Sequence, residues 1–202
     1  MRRSFPHFTR SGPATRIAAN LATGLAICLL ACTDAPDVGI TTPQPPVYEH
    51  SLFADAALEK AVRQTLEQPQ GTLSAADLDA IKTLDAARLD ITDLDGIAAL
   101  NGLRQLYVQD NNLADLAPLA NLTLLHTLDV SANRVADLEP LASLDSLAHL
   151  NLDDNRISDL SPLSRLNRLA LLNLDNNRIG DLSALNRLPA LRSSLAWCRA
   201  RI

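Results

Sequence analysis

The chain has 202 residues, enough for one domain with appendages, and a formal net charge of −5. Aromatic residues make up only 3% of it and leucine dominates, which favours a stack of leucine layers over a closed globular core. Without the four arginines that precede the first acidic residue, 14 basic residues face 23 acidic ones, a net charge of −9. This balance argues against nucleic acid as a partner and against ionic docking on anionic lipid, because both need a basic surface.

The first 31 residues have the pattern of a secretion signal. Residues 1–16 are basic, and the apolar run at 17–31 is shorter than the roughly 20 residues that a membrane-spanning helix needs. The run ends in Leu-Leu-Ala followed by Cys32, which resembles the lipobox of bacterial lipoproteins. The resemblance implies that Cys32 is acylated and becomes the new N-terminus, and Thr33 after it favours the outer membrane over the inner one. The alternative is a buried cysteine in an ordinary signal peptide.

Residues 32–50 are predicted to be a tether. They hold few large apolar groups and four prolines, Pro36, Pro43, Pro45 and Pro46. Such a composition favours an extended, semi-rigid segment. Its expected role is to hold the folded part of the chain away from the bilayer.

Residues 51–80 are predicted to form a helical N-terminal cap. Leu58 and Val62 recur at helical spacing after Asp55, which is placed to cap a first helix that should end at Pro69 and Gly71. Ser74 and Asp77 have the spacing of a capping box, which predicts the start of a second, shorter helix with Leu78 and Ile81 facing inward. The pair would cover the first layer of a repeat array.

A 22-residue period then organises the chain. Residues 103–122, 125–144, 147–166 and 169–188 all read LxxLxLxxNxLxDLxxLxxL, where L is Leu, Ile or Val. Residues 81–100 are a degraded first copy, with Ala86 at a core position and Leu89 at the asparagine position. A fixed period of this length predicts units that can bury their apolar faces only against each other. We therefore expect five repeats over residues 81–190.

Each repeat predicts one strand and one tight return. Leu106 and Val108 alternate with polar residues, which indicates a short strand with one face inward. Asp115 and Pro118 then favour a 3₁₀-like turn, and capping explains the recurring aspartate better than a metal or catalytic role does. The predicted fold is α/β: a right-handed leucine-rich repeat solenoid with a parallel concave sheet, 3₁₀-like convex turns and a helical N-terminal cap.

The repeating asparagines are predicted to be structural. They are Asn111, Asn133, Asn155 and Asn177. A buried asparagine has one acceptor and two donors, so each can bond backbone groups of its own loop and of the next repeat. Replacing one by leucine should therefore cost more than its size suggests.

The segments Phe53-Ala54-Asp55 and Ala61-Val62-Arg63, followed by 22-residue repeats with Asp-Leu-x-Pro-Leu, resemble the internalin-type bacterial leucine-rich repeat proteins. The resemblance covers about residues 52–188. It implies a concave sheet that grips protein partners and no enzymatic activity. The chain differs from larger members in having few repeats and no recognisable Ig-like domain after them.

Candidate binding residues lie on the solvent side of the predicted strands. They are Tyr107, Gln109, Asp129, Ser131, His149, Asn151, Asp153, Asn173 and Asp175. The alternative is that these residues form a merely solvated sheet face. Asp129, Asp153 and Asp175 should lie in neighbouring strands about 5 Å apart, where their repulsion calls for a positive group. Calcium wants a wrapped set of oxygens that a flat ladder hardly supplies, so a basic protein surface is the preferred partner.

No catalytic residue, metal or cofactor is expected. His149 should lie near Asp129 and Asp153, yet no nucleophile accompanies them and His126 lies out of that column. The motifs HExxH, CxxC, GxGxxG and GxSxG are absent from the sequence.

Residues 191–202 are predicted to be an irregular C-terminal tail. Ser194 and Ala196 stand where core leucines belong, and Arg199 takes the asparagine position. One interpretation is a short cap in which Leu195 and Trp197 cover the last layer. The other is an array truncated by a frameshift, and the sequence favours neither.

The leading hypothesis is a lipid-anchored protein of the cell envelope that binds a protein through its acidic concave face. The first alternative is a structural or truncated relic without a ligand. A second alternative, an envelope hydrolase, would need a catalytic pocket that the repeats do not predict.

Overall fold

The computed structural model describes residues 47–48 and 51–193. All of them belong to one compact unit, Thr42–Ile202. The predicted signal peptide, Cys32, most of the tether and the tail from residue 194 onward lie outside the described residues. Among the residues described, no helix combines the length and the apolar character that crossing a bilayer requires.

The first helix, α1, spans Ala56–Thr65, and Asp55 caps its N-terminus as predicted. Its inward residues Leu58 and Val62 are fully buried. The helix ends earlier than Pro69, because Glu67 adopts a left-handed conformation with φ 56°. The N–H groups of Glu67 and Gln68 donate to the carbonyls of Gln64 and Arg63, a Schellman closure made without the usual glycine.

Asp55 also joins α1 to the first repeat. Its Oδ1 accepts from the N–H groups of Ala57 and Leu58, while its Oδ2 accepts from the N–H of Thr92 at 2.9 Å. Burial acts to raise the pKa of this carboxyl, but the hydrogen bonds, above all that from Thr92, outweigh it and hold the pKa below its ordinary value. One carboxylate thus fixes the position of the helix on the repeats.

The second helix, α2, spans Ala75–Ala80 and begins with the predicted capping box. The Ser74 hydroxyl accepts from the Asp77 N–H, and the Asp77 carboxylate accepts from the Ser74 N–H at 2.9 Å. Just before α2, strand β2 (Leu73–Ser74) pairs antiparallel with strand β1 (Val47–Tyr48). The end of the predicted tether is therefore a strand that adds to the helical cap.

Five parallel strands form the main sheet. They are β3 (Thr83–Asp85), β4 (Gln105–Tyr107), β5 (Thr127–Asp129), β6 (His149–Asn151) and β7 (Leu171–Asn173). Their order in the sheet is their order in the chain, and each residue pairs with the residue 22 positions later. The degraded first repeat is in register with the others, since Leu84 pairs with Leu106 and Ala86 is fully buried. These features confirm the predicted leucine-rich repeat solenoid.

The return side of each repeat is a short 3₁₀ turn, as predicted. The turns span Ile97–Ala99, Ala117–Leu119, Glu139–Leu141, Ser161–Arg165 and Ser183–Arg187. Asp115 lies one residue before the geometric N-cap, Leu116, and its carboxylate accepts from the N–H of Ala117 at 2.8 Å. Asp137, Asp159 and Asp181 repeat this bond, so the recurring aspartate has the expected capping role, displaced by one residue.

After the last 3₁₀ turn, the chain forms a short helix, α3 (Pro189–Ser193). This helix crosses the predicted junction at residue 191 between the fifth repeat and the tail. The interpretations that concern Ser194, Leu195, Ala196, Trp197 and Arg199 fall outside the described residues.

Candidate protein-binding face

The repeating asparagines, which we call the asparagine ladder, form hydrogen bonds to the preceding repeat. Asn155 Oδ1 accepts from the N–H of Val135, and its Nδ2 donates to the carbonyls of Val130, Leu152 and Asp153. Val130 and Val135 belong to the preceding repeat, so the prediction that each asparagine bonds the next repeat was wrong. The backbone turns just after the strand, and the side chain therefore faces the loop of the preceding repeat.

The other rungs repeat this geometry. Asn111 reaches the N–H groups of Leu89 and Ile91, Asn133 that of Leu113, and Asn177 that of Ile157. Asn111 and Asn155 retain 8% and 7% of their exposure, while Asn133 and Asn177 are half-buried. All four side chains are committed to backbone groups, which supports the structural role predicted for them.

The outward residues of the five strands form three columns, which we call the strand face. The register gives the first column as Thr83, Gln105, Thr127, His149 and Leu171, and the second as Asp85, Tyr107, Asp129, Asn151 and Asn173. The third column, just beyond the strand ends, contains Ala87, Gln109, Ser131, Asp153 and Asp175, continued by the same backbone ladder. All nine predicted binding residues lie on this face. It carries four carboxylates and neither lysine nor arginine.

The three aspartates do not form one row. Asp129 pairs in register with Asn151 rather than with Asp153, and Asn151 Nδ2 donates to Asp129 Oδ2 at 3.0 Å. The N–H and hydroxyl of Ser131 donate to the other oxygen, Oδ1, at 3.0 and 2.6 Å. The expectation that Asp129 repels Asp153 and Asp175 as a direct neighbour was therefore wrong. Asp129 is instead a carboxylate held in place by three donors.

Asp153 and Asp175 do share the third column. Burial raises the pKa of Asp153, and the negative charge of Asp175 raises it further, against a hydrogen bond from Asn176 Nδ2 at 3.1 Å. A negative charge at Asp153 is thus disfavoured by its surroundings, and a cation beside it would relieve that cost.

Tyr107 is half-buried between two acidic rungs. Asp85 precedes it and Asp129 follows it in the second column. Burial raises the pKa of the phenol, and the charges of Asp129 and Asp85 raise it further. The ring therefore remains a neutral aromatic surface beside two carboxylates.

His149 faces an imidazole rather than a nucleophile. Its ring lies 5.5 Å from that of His126, which stands one residue before the first column, and burial and His126 lower the pKa of His149. The nearest pairing of hydroxyl and carboxylate on the strand face, Ser131 with Asp129, uses the hydroxyl as a donor to the acid. Within the described residues, no three His, Cys, Asp or Glu side chains are grouped to hold a metal ion.

Sequence reasoning missed six residues of this face, and Asp85 is the one among them that carries a charge. It aligns with Tyr107 because the first repeat shares the 22-residue register. That register was recognised in the sequence, so applying the columns to residues 81–100 would have placed Asp85 beside Tyr107.

Comparison with known proteins agrees with this architecture. The family model "Leucine Rich repeats (2 copies)" matches residues 101–143, 123–165 and 145–187. An internalin of Listeria monocytogenes, InlF, is 26% identical with a TM-score of 0.60, over 69% of this chain and 48% of that one. The functional domain of InlJ from the same organism, which includes a cysteine ladder, is 31% identical with a TM-score of 0.62, over 68% of this chain and 30% of that one.

A third Listeria monocytogenes protein, internalin C2, is 30% identical over 69% of this chain and 82% of that one, with a TM-score of 0.40. This chain spans about half the length of InlF and less than a third of that of InlJ. The 22-residue period, the in-register parallel strands, the 3₁₀ returns, the family-model match and the similarities to InlF and InlJ agree: the chain belongs to the leucine-rich repeat proteins and is of the internalin type.

Proposed function

We propose that the chain is a non-catalytic protein-binding module of the cell envelope, which uses the strand face to bind a partner with a basic surface. The observation that carries the proposal is the charge of that face. Asp85, Asp129, Asp153 and Asp175 project from its columns, and no lysine or arginine does. A complementary basic surface would be steered toward such a face and would offset its self-repulsion.

The raised pKa of Asp153 supports the same partner chemistry. A carboxylate whose charge is disfavoured by burial and by Asp175 gains when a cation approaches. Since the pKa is raised in the free protein, a basic partner would bind better at a pH above that pKa, where Asp153 is charged.

The face is also rigid enough to serve as a binding platform. Asp129 is fixed by donors from Ser131 and Asn151, and each strand is hydrogen-bonded to its neighbours through the 22-residue register. Side chains held in this way lose little conformational entropy on binding.

We propose further that the module is anchored by an acylated Cys32, in the outer membrane rather than the inner one. In this arrangement residues 1–31 are removed, residues 32–50 form the tether, residues 51–80 form the cap, residues 81–190 form the repeats, and residues 191–202 are the tail. The Leu-Leu-Ala-Cys quartet and the Thr33 that follows support this proposal.

Crosslinking in native membranes tests the binding proposal. A photoreactive residue at Thr127, on the strand face, should crosslink one envelope protein in stoichiometric amounts, whereas the same residue at the exposed Asp145, outside the face, should not. The change Asp153→Lys should abolish the crosslink because it places a cation against the basic partner.

The matched control is Asp145→Lys, which changes the charge equally outside the face and should leave the crosslink intact. Equal loss in both variants would show that net charge alone matters. Absence of any crosslink from position 127 would favour the alternative of a structural or truncated protein without a ligand.

Changing Cys32→Ser tests the anchor separately. The variant should move from the membrane fraction to the soluble fraction, because in this proposal the acyl chains supply the membrane affinity of the mature chain. The same serine change at Cys198 is the control and should leave the fractionation unchanged. A Cys32→Ser protein that remains membrane-bound would contradict the lipid anchor.

A further inference from the structure

One aromatic ring on the strand face stands between two carboxylates. Tyr107 pairs in register with Asp85 on β3 and with Asp129 on β5, so the backbone of an aspartate lies about 4.8 Å away along the sheet on either side of it. Asp85 is exposed, and Tyr107 and Asp129 are half-buried. An aromatic face with flanking carboxylates attracts a cation through both the ring quadrupole and the charges.

Asp129 is oriented before any ligand arrives. Ser131 occupies Oδ1 with two donors and Asn151 Nδ2 occupies one position on Oδ2. A carboxylate oxygen accepts more than one hydrogen bond, so Oδ2 retains acceptor capacity. This arrangement lowers the cost of ordering the acid when a donor binds.

A second acceptor close by lacks a donor. Gln109 lies two residues after Tyr107 on the same face, and its Oε1 is buried without a hydrogen-bond partner among the described residues. Because this oxygen is shielded from solvent, it can accept from a partner only when the Gln109 side chain rotates outward, and its lack of a donor favours that rotation.

The chain's own neighbouring arginine does not supply that donor. Arg88 Nε pairs with Asp110 Oδ2 at 3.0 Å, one rung of the same 22-residue register. That pair also shows that a guanidinium can bind a carboxylate at the end of these strands while both groups remain partly in solvent.

We infer that Tyr107, with Asp85, Asp129 and Gln109, forms a seat for an arginine side chain of the bound partner. Arginine suits it better than lysine, because a planar guanidinium stacks on an aromatic ring and still presents N–H groups along its edge to several acceptors. An ammonium is a compact, strongly hydrated charge that cannot do both. The inference rests on the proposed function and identifies a partner side chain that the acidic face binds.

A nuclear magnetic resonance titration of the ¹⁵N-labelled full chain in nonionic detergent tests the seat. The probe is a blocked Gly-Gly-Arg-Gly-Gly peptide, and its controls carry lysine or citrulline in place of arginine. The arginine peptide should shift the amide signals of Tyr107, Asp85 and Asp129 saturably. The lysine peptide should bind about threefold more weakly, and neutral citrulline should show no saturable shift.

Single substitutions in the seat measure how much each residue contributes to binding of the arginine peptide. Tyr107→Leu should weaken binding about threefold, whereas Tyr107→Phe, which keeps the ring, should not. Asp129→Asn should weaken it about tenfold through loss of a charged acceptor. Asp145→Asn removes one exposed charge outside the strand face and should have little effect. If Asp129→Asn disturbs the amide signals of distant strands, the exposed Asp85→Asn replaces it.

Equal binding of citrulline, no effect of Tyr107→Leu, or equal losses in Asp129→Asn and Asp145→Asn would overturn the seat. A strand-face crosslink to an envelope protein without any arginine-peptide shift at Tyr107 would remove the seat and leave the proposed function. Saturable arginine binding without a crosslink would support the seat and contradict the proposed function.

Discussion

Replacing Asn155 by leucine is expected to lower the free energy of unfolding by about 1–3 kcal/mol, more than a surface substitution does. The change leaves the buried Val135 N–H without its acceptor, whereas the carbonyls of Val130 and Leu152 each keep a donor, Asn133 Nδ2 and Asn177 Nδ2. Each buried group left unsatisfied costs about 1–3 kcal/mol. Leucine has the same branched shape and a larger volume, so the loss comes from polar groups rather than from a cavity. Urea denaturation followed by circular dichroism measures it.

The matched control is Asn167→Leu. Asn167 is exposed on a return turn and has no side-chain hydrogen bond among those described. Its replacement should change the free energy of unfolding by less than about 0.5 kcal/mol. A loss below about 1 kcal/mol for Asn155→Leu would show that water replaces the asparagine and that the ladder is not an internal support.

Gly96→Ala is expected to cost about 3–5 kcal/mol for a different reason, steric overlap at the junction of cap and repeats. Gly96 has φ +97°, and an added Cβ would collide with the Leu52 carbonyl oxygen and lie 2.9 Å from Phe53 Cα. Both contacts are with backbone, so no side chain can rotate away. The segment that carries the buried Phe53 would have to move.

The chain provides a control that separates strain from collision. Gly71 has nearly the same conformation, φ +95°, but no atom lies within 4 Å of its potential Cβ. Gly71→Ala should therefore cost only the left-handed strain, about 1–2 kcal/mol. Denaturation curves give the free energy of unfolding of both variants, and the difference between their losses is the cost of the collision at Gly96. Equal losses of unfolding free energy in the two variants would mean that the segment at Leu52 moves away from the added methyl group at little cost.

The sheet order was readable from the sequence because the 22-residue period fixes which residues meet. Once Leu106 and Leu128 occupy equivalent positions, the pairing of Tyr107 with Asp129 follows without further information. The helix caps at Asp55 and Ser74 were equally readable, since the spacing of a cap to the N–H groups it accepts from is local.

The direction of the asparagine bonds was not readable. The spacing places Asn155 equally near the loops on either side of it, and only the backbone conformation after the strand selects the preceding one. That conformation is left-handed at the residue before each asparagine, as at Asp110, Ala132 and Asp154, with φ between 52° and 57°. Aspartate and alanine at these positions do not predict a left-handed conformation as strongly as glycine would.

The residues of the candidate binding face were largely predictable from the sequence, but the contacts between their side chains were not. Counting alternate positions found Tyr107, Asp129 and Asp153, but assigning the aspartates to one row ignored that Asp129 and Asp153 occupy different columns. The partner of Asp129 is then an amide, Asn151, and the repulsion is confined to Asp153 and Asp175.

The backward reach of the asparagines gives the array a direction of assembly. A repeat's own turn is completed only when its successor arrives with an asparagine, as Asn155 completes the turn at Val135 and Asn177 the turn at Ile157. For Ile179 the corresponding position is Arg199, whose guanidinium has donors only. Each repeat thus supplies the acceptor that the turn of the preceding repeat lacks, and a fragment without the following repeat would leave one N–H of its last turn without that acceptor.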